Sequence, residues 1–233
     1  MTRASGAGGI VRFLQRVGRL KDLPRTGWID RGIPRADAES VADHSFRTAL
    51  LVWLACAEAP RLDRNRVIKL ALIHDLAEAI TGDIPPYDPD QLTAHPSGID
   101  RRSFLNRRHI RDDRRHAAKR EAENAAFADL IATLPTPVAE ELTSLWNELE
   151  RGETAEATFV KQADKLETYL QSREYLAADL SRPMDSFAAE VAEVITIPIL
   201  AQIRDAIVPI EKRAAEADST SAAHSNSDDE TDR

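Results

Sequence analysis

His74 and Asp75 stand side by side in Leu70-Ala71-Leu72-Ile73-His74-Asp75-Leu76-Ala77-Glu78-Ala79-Ile80-Thr81-Gly82-Asp83, a stretch otherwise rich in apolar helix formers. Burying an imidazole and a carboxylate there unpaired would cost several kcal/mol, and a divalent cation is the simplest compensation. On a helix His74 and Glu78, four apart, project from one face, while Asp75 lies about 100° round and still reaches the same ion. A second histidine, His44, lies among core-type residues in Ser40-Val41-Ala42-Asp43-His44-Ser45-Phe46-Arg47. Antiparallel packing of the two helices would set it opposite His74. In Phe159-Val160-Lys161-Gln162-Ala163-Asp164-Lys165-Leu166-Glu167, Asp164 falls on the inward face of a long helix. Two imidazoles and two carboxylates make a nitrogen/oxygen site that leaves positions for water and substrate, open to zinc, manganese, cobalt, nickel, iron or magnesium.

Plainer readings compete. His44 alone would be a core histidine with satisfied ring nitrogens, and Asp164 an ion-pair partner of Lys161 or Lys165 on a solvated face. His95, His109, His116 and His224 stand among polar residues and read as surface.

The elements that must position these groups read as helices almost throughout, because apolar residues recur at helical spacing and period-two alternation is nearly absent. The fold class is therefore all-α, a helical bundle. A first helix spans about Ile10 to Lys21 and stops near Pro24, and an irregular charged segment follows from Arg25 to Asp37. The second helix begins near Glu39-Ser40, carries Val41, Phe46, Ala49, Leu50, Trp53 and Leu54 inward, and ends at Pro60. Asp63 caps the third, whose buried stripe is Val67, Leu70, Ala71, Ile73 and Leu76. Gly82 breaks it, Pro85-Pro86 bars its continuation, and Asp83 sits just past its end. Tyr87 to about Asp113 reads as a long loop, helical at most near its end, with Arg101, Arg102, Arg107, Arg108, Arg111, Arg114 and Arg115 in or just after it. Helices then run from about His116 to Thr133, Pro137 to Leu149, Thr154 to Leu180 and Met184 to Ala214.

The 233 residues suffice for one sizeable core, here residues 10–215, between a flexible N-terminus, 1–9, and a Ser/Asp/Glu-rich tail, 216–233, expected to be disordered. A net charge of −8 gives no footprint for bulk nucleic acid. Cys56, the only cysteine, excludes an intramolecular disulfide and a thiolate-built metal site. No run approaches the roughly 20 apolar residues of a membrane span, and no secretory core is present, so a reducing cytoplasm is the expected setting.

The order His44, His74-Asp75, Asp164 resembles the signature of the HD-domain metal-dependent phosphohydrolases. Arg25-Thr26-Gly27-Trp28, Glu39-Ser40-Val41-Ala42-Asp43-His44-Ser45, His74-Asp75-Leu76-Ala77-Glu78, Thr81-Gly82-Asp83-Ile84 and the stretch around Asp164 resemble, in order, its 5′-deoxynucleotidase branch. The likeness runs from about Val11 to Ile203. It implies an all-α HD fold, usually a homodimer, that removes phosphate from deoxynucleoside 5′-monophosphates with a divalent metal. By motif position His44, His74, Asp75 and Asp164 would be the metal ligands. Glu78 would position or deprotonate the attacking water, Asp83 would assist at the substrate, and Arg25 with Trp28 would hold the phosphate.

The residue types suit that chemistry independently. A phosphate monoester needs its charge neutralised and a water activated, which a metal and one carboxylate do by lowering the water's pKa towards about 7. Arginine's planar fork suits phosphate, although Arg25 also reads as a loop charge. Lys161, one turn before Asp164, could reach the phosphate or lie in solvent. The stretch between Ile84 and Lys119 is longer than in short family members, and its arginines read as a lid, a docking surface or a solvated arm. Two other functions fit these features: an HD-type phosphodiesterase or nucleotide pyrophosphohydrolase, and a metal-stabilised interaction protein recruiting through basic loop and acidic tail.

Overall fold

The computed structural model describes residues 6–94 and 98–207, and no strand occurs among them, only an isolated bridge between Pro24 and Ser40. The acidic tail, His95 and His224 lie outside the described residues. The chain runs through α1 (Gly6–Val17), α2 (Thr26–Asp30), α3 (Val41–Ala55), α4 (Arg64–Ile73), α5 (Glu78–Thr81), α6 (Pro89–Thr93), α7 (Gly98–Asn106), α8 (Asp113–Ile131), α9 (Thr136–Arg151), α10 (Ala155–Ala178) and α11 (Asp185–Val194). A further helical stretch covers 198–207.

Helices α3, α4 and α10 pack together at the centre, burying Val41, Val52, Val67, Leu70, Phe159 and Leu166. Ser40 opens α3 with a capping box, accepting from Asp43 N at 3.1 Å while Asp43 Oδ2 accepts from Ser40 N at 3.0 Å. Asp63 caps α4 by accepting from Arg66 N at 3.1 Å, and Thr154 caps α10 by accepting from Ala157 N at 3.1 Å. The Asp63 N–H donates to Glu156 Oε1 at 3.1 Å, so the N-terminal ends of α4 and α10 lie tied side by side.

Several expected elements differ. The first helix begins at Gly6 rather than Ile10 and ends at Val17, followed by a 3₁₀ turn, so residues 6–9 are helical and not a loose leader. Gly9 permits this: a Cβ there would fall 1.9 Å from the Thr133 carbonyl oxygen, and its absence lets α1 meet the end of α8. The segment after Pro24 contains the short α2. Phe46, Trp53 and Leu54, expected inward, are exposed at 62%, 51% and 70%. Helix α3 is apolar on both sides, so periodicity alone could not choose the buried one, and the core takes His44, Thr48, Val52 and Ala55 instead. The last long helix is interrupted at 195–197, because Pro198 has no N–H to continue it and pushes Ile197 out of helical geometry.

The largest difference is 87–113, which contains α6 and α7 over a small core of Tyr87, Leu92, Phe104 and Leu105. Its apolar residues are too few to betray helical period, and three arginines in or just after it, Arg101, Arg111 and Arg115, are structural ties. Arg101 donates to Asp30 O at 3.0 Å, Arg115 to Tyr87 O at 2.7 Å, and Arg111 to Ile84 O. From the body, buried Arg31 donates to Leu105 O at 3.0 Å and to Ser186 Oγ at 2.9 Å. Arg102, Arg107 and Arg114 remain exposed.

Candidate metal centre and active site

Helix α4 ends at Ile73, so His74 and Glu78 do not share one continuous helix as their spacing predicted. The chain tightens instead: Leu76 N donates to Ile73 O at 3.1 Å and Glu78 N to Asp75 O at 3.0 Å, three residues back rather than four. Helix α5 resumes until Gly82, whose φ of 77° turns the chain out. His74, Asp75 and Glu78 all reach the same region of the interior.

His74 Nδ1 lies 2.6 Å from Ala71 O, a carbonyl that can only accept, so the ring proton sits on Nδ1 and the Nε2 lone pair points away from the helix. His44 is wholly buried and its Nδ1 meets the Glu167 carboxylate, which places its proton in the same way. The two Nε2 atoms therefore face each other at 3.2 Å with lone pairs outward. Asp164 Oδ1 lies 3.1 Å from His44 Nε2, and Asp75 Oδ2 lies 3.2 Å from His74 Nε2 and 3.7 Å from His44 Nε2. Ligands held about 2.1 Å from one ion at tetrahedral to octahedral angles are about 3.0–3.4 Å apart, so His44, His74 and Asp75 fit a divalent cation, with Asp164 joined to them through its contact with His44. Burial would raise both carboxyls, but in the ion-free state, where the imidazoles carry protons in place of the ion, His74 and His44 hold Asp75 below its ordinary value, and Lys165 and His44 do so for Asp164.

Glu78 is buried beside this cluster, and burial together with the charges of Asp75 and Asp83 raises its carboxyl well above the usual range, Lys119 opposing. Asp83 accepts from Thr26 N, while its carbonyl accepts from Thr26 Oγ1 at 2.8 Å. It thereby fixes the start of α2 and the Arg25 that precedes it. Arg25 Nη1 donates to Thr168 Oγ1 at 3.0 Å and pairs with Glu39 at 3.6 Å.

Trp28 does not offer itself to a phosphate. It is 1% exposed, donates Nε1–H to Glu39 Oε2 at 2.9 Å, and packs on Tyr175 and Phe187 at ring separations of 5.2 and 4.9 Å. Its place is behind Arg25, holding the carboxylate that Arg25 pairs with. Lys161 is exposed, lies against Gly152 at the end of α9, and is not brought to the site. Lys165 stands there instead, 3.2 Å from Asp164 Oδ2. Sequence reasoning also passed over Glu167, which supports His44 and pairs with Arg47 Nε at 3.1 Å. Its position three after Asp164, on one face of α10, was the available signal.

These groups open onto a cavity of about 430 Å³ whose lining includes Arg25, Asp75, Glu78, Asp83, Asp164 and Lys165, walled by Tyr87 and 107–111. His109, expected at the surface, packs on Phe104 at 4.2 Å and meets Phe104 O at 2.8 Å. His116 is exposed on the cavity rim. Buried Nε atoms of Arg108 and Arg111 have no hydrogen-bond partner, a state that costs about 1–3 kcal/mol each until an acceptor arrives. A larger groove of about 690 Å³ between α8, α9 and the start of α4 is lined by Glu140, Glu148 and Glu153 but by no histidine, and shares no residue with the cavity above the cluster.

A family model described as HD domain matches residues 17–203. The chain is 39% identical over 173 residues to the 5′-deoxynucleotidase HDDC2 of Mus musculus, covering 74% of this chain and 73% of that protein. A conserved hypothetical protein from Pyrococcus furiosus has a similar structure, with a TM-score of 0.61, 28% identity and coverage of 85% of this chain and 99% of that one. So does a predicted metal-dependent phosphohydrolase from Magnetospirillum magnetotacticum, with a TM-score of 0.60, 25% identity and coverage of 91% and 95%.

Proposed function

The chain belongs to the HD-domain family, and we propose from that premise that it is a metal-dependent phosphomonoesterase converting (deoxy)nucleoside 5′-monophosphates and water to nucleoside and phosphate. The observation that carries this reading is the convergence of His44, His74 and Asp75, with Asp164 3.1 Å from His44 Nε2, beneath a cavity that also holds Glu78 and Arg25. Those four residues hold the ion. When bound, it supplies positive charge that polarises a phosphoryl oxygen and acidifies a water.

The remaining roles belong to the chain. Arg25 offers its planar fork to the phosphate, pre-oriented by Thr168 and Glu39 so that little conformational freedom is lost on binding. Lys165 adds a second cation beside Asp164. Glu78, buried beside the cluster with its carboxyl raised by burial, Asp75 and Asp83, takes a proton from water and returns it to the leaving oxygen. Asp83 keeps the Arg25 loop in register through Thr26. The donor set admits manganese, cobalt, zinc, nickel, iron or magnesium.

The active form is a homodimer joined through α3. Phe46, Trp53 and Leu54, with half-buried Leu50, form an apolar stripe on the helix's outer face, the kind of surface a partner covers. No described helix is long and apolar enough to cross a membrane, and the sole, buried cysteine suits the cytoplasm. Crossing a panel of nucleotides with divalent metals tests the activity. Phosphate release from deoxynucleoside monophosphates should require metal and vanish in His74→Ala and Asp75→Ala. Absence of metal-dependent release from every nucleotide would refute it.

A further inference from the structure

The cavity above the cluster changes character along its wall. Arg25, Asp75, Asp164 and Lys165 make it charged, whereas Ile84, Pro86, His109 and Ile110 line it with apolar and ring surface. The two regions adjoin: Ile84 follows Asp83 directly, and Arg111 donates to Ile84 O, which ties the 109–111 stretch to the chain leaving the site. Ile110 is 75% exposed and belongs to none of the apolar cores, and Pro86 is exposed as well.

His109 is half-buried and held from two sides, its ring 4.2 Å from that of Phe104 and edge-on to Tyr87 at 5.2 Å. Its Nε2–H donates to Phe104 O at 2.8 Å, so in the neutral ring Nδ1 carries a lone pair, and that atom has no partner among the described residues. Tyr87 is anchored in turn, donating to Asp30 Oδ2 at 2.6 Å, and Arg101 donates to Asp30 O at 3.0 Å. The wall is therefore fixed to α2 before any ligand arrives.

A phosphate held by the metal ligands, Arg25 and Lys165 has no use for these apolar groups. A nucleobase has: its flat faces gain from burial against apolar and ring surfaces, and the N–H groups at its edge need an acceptor. The cavity's roughly 430 Å³ lies within the range of sites that enclose a small molecule.

We propose that Ile84, Pro86, His109 and Ile110 form a nucleobase subsite in which His109 Nδ1 accepts from an exocyclic amino group, so that monophosphates of amino-bearing bases are preferred. This rests on the phosphomonoesterase reading and narrows its substrate class. His109 and Ile110 are specificity residues that touch the base and take no part in the chemical step.

Affinity tests this without turnover. The full-length Glu78→Gln variant with Mn²⁺ is titrated calorimetrically with three ligands: dAMP, 2′-deoxynebularine 5′-monophosphate, which lacks only the amino group, and 2-deoxyribose 5-phosphate, which lacks the base. Binding of dAMP should be about tenfold or more tighter than that of the sugar phosphate, and about threefold or more tighter than that of the deaminated nucleotide. Adding Ile110→Ser, at an exposed position where folding is not at stake, should shrink the first gap about threefold or more. Adding His109→Phe, which keeps a ring on Phe104 but removes the acceptor, should erase the second. Equal affinities for dAMP and the sugar phosphate, a first gap unmoved by Ile110→Ser, or a second gap that survives His109→Phe would overturn the subsite. Phosphate release from dAMP by the unmodified chain is scored separately: its failure defeats the monoesterase reading, whereas the affinity ratios alone decide the subsite.

Discussion

Glu167→Ala should damage metal binding although Glu167 touches no proposed metal position. Glu167 is 1% exposed, its Oε2 receives the His44 Nδ1 proton, and His44 is wholly buried, so no water can replace the lost acceptor. A buried donor left unpaired costs about 1–3 kcal/mol, and the ring relieves that cost either by turning its Nε2 away from His74 and Asp164 or by moving its proton to Nε2 while Nδ1 accepts from Arg25, 3.0 Å away, and each removes the Nε2 lone pair from the site. At about 1.4 kcal/mol per decade this is about 5- to 150-fold, overlapping the 10- to 100-fold loss usual for a residue supporting a metal-bound histidine. Glu167→Gln keeps an oxygen for Nδ1–H but loses the charge that faces Arg47, 3.1 Å from Oε1. The amide should therefore restore metal affinity to within about fivefold while leaving the protein destabilised, because the Arg47 pair is broken in both variants. Competition with a chromogenic chelator gives the affinities, and urea unfolding of the metal-free forms gives the stabilities. Unchanged metal affinity in Glu167→Ala, or equal affinity losses in the two variants, would show that Glu167 serves folding alone.

Three further outcomes follow from other parts of the molecule. Burial pushes the Glu148 carboxyl up, but Arg66, with Nε at 2.7 Å, and the Thr154 hydroxyl, at 2.6 Å, outweigh it and hold the pKa below the ordinary value. A depressed carboxyl adds stability above its unfolded pKa near 4.5, lost as pH falls through the folded value. Glu148→Gln should thus cost about 1–2 kcal/mol at pH 7, with the difference from the unmodified protein closing as pH falls below the unfolded value in urea titrations. Gly9→Ala drives a methyl to 1.9 Å from the Thr133 carbonyl and should lower stability by about 1–3 kcal/mol by thermal melting, and an unchanged melting temperature would refute the close approach of α1. Phe46→Glu with Trp53→Glu should yield monomers in sedimentation velocity while the far-ultraviolet dichroism is retained, and a persisting dimer would move the interface elsewhere.

What could be read ahead of the structure divides along physical lines. Asp63, Ser40 and Gly82 act locally, through a cap or a positive φ, and each marks its helix end as expected. The stripe Val67, Leu70, Ala71, Ile73 and Leu76 is buried because it repeats at helical period on one side only. Helix α3, apolar all round, gives periodicity nothing to choose with, and Trp53 came out on the wrong face. The tightening after His74 has no proline or glycine to announce it. His44, His74, Asp75 and Asp164 stand out in the sequence because polar groups are conspicuous in apolar surroundings, and the structure sets Asp164 and Asp75 against the two histidines. Glu167 and Glu39 looked like ordinary helix and loop carboxylates, since their work depends on distant partners. Trp28 and Lys161 had plausible types at plausible spacing, and only tertiary placement turns one behind Arg25 and the other against Gly152.

The bond between Asp63 N and Glu156 Oε1 gives α4 and α10 a common datum. His74 lies 11 residues beyond Asp63, and Asp164 lies 10 beyond Thr154. At about 1.5 Å of rise per residue, the two helices deliver their side chains to nearly the same height, about 15–17 Å from the shared origin. Each helix is a measuring rod, and agreement between the rods places an imidazole and a carboxylate on one level. Inserting a residue in either rod would shift one donor by about 1.5 Å and swing it about 100° while leaving the apolar packing largely repairable. The interval from cap to donor is therefore a dimension of the chain that tolerates substitution far more readily than a change in length.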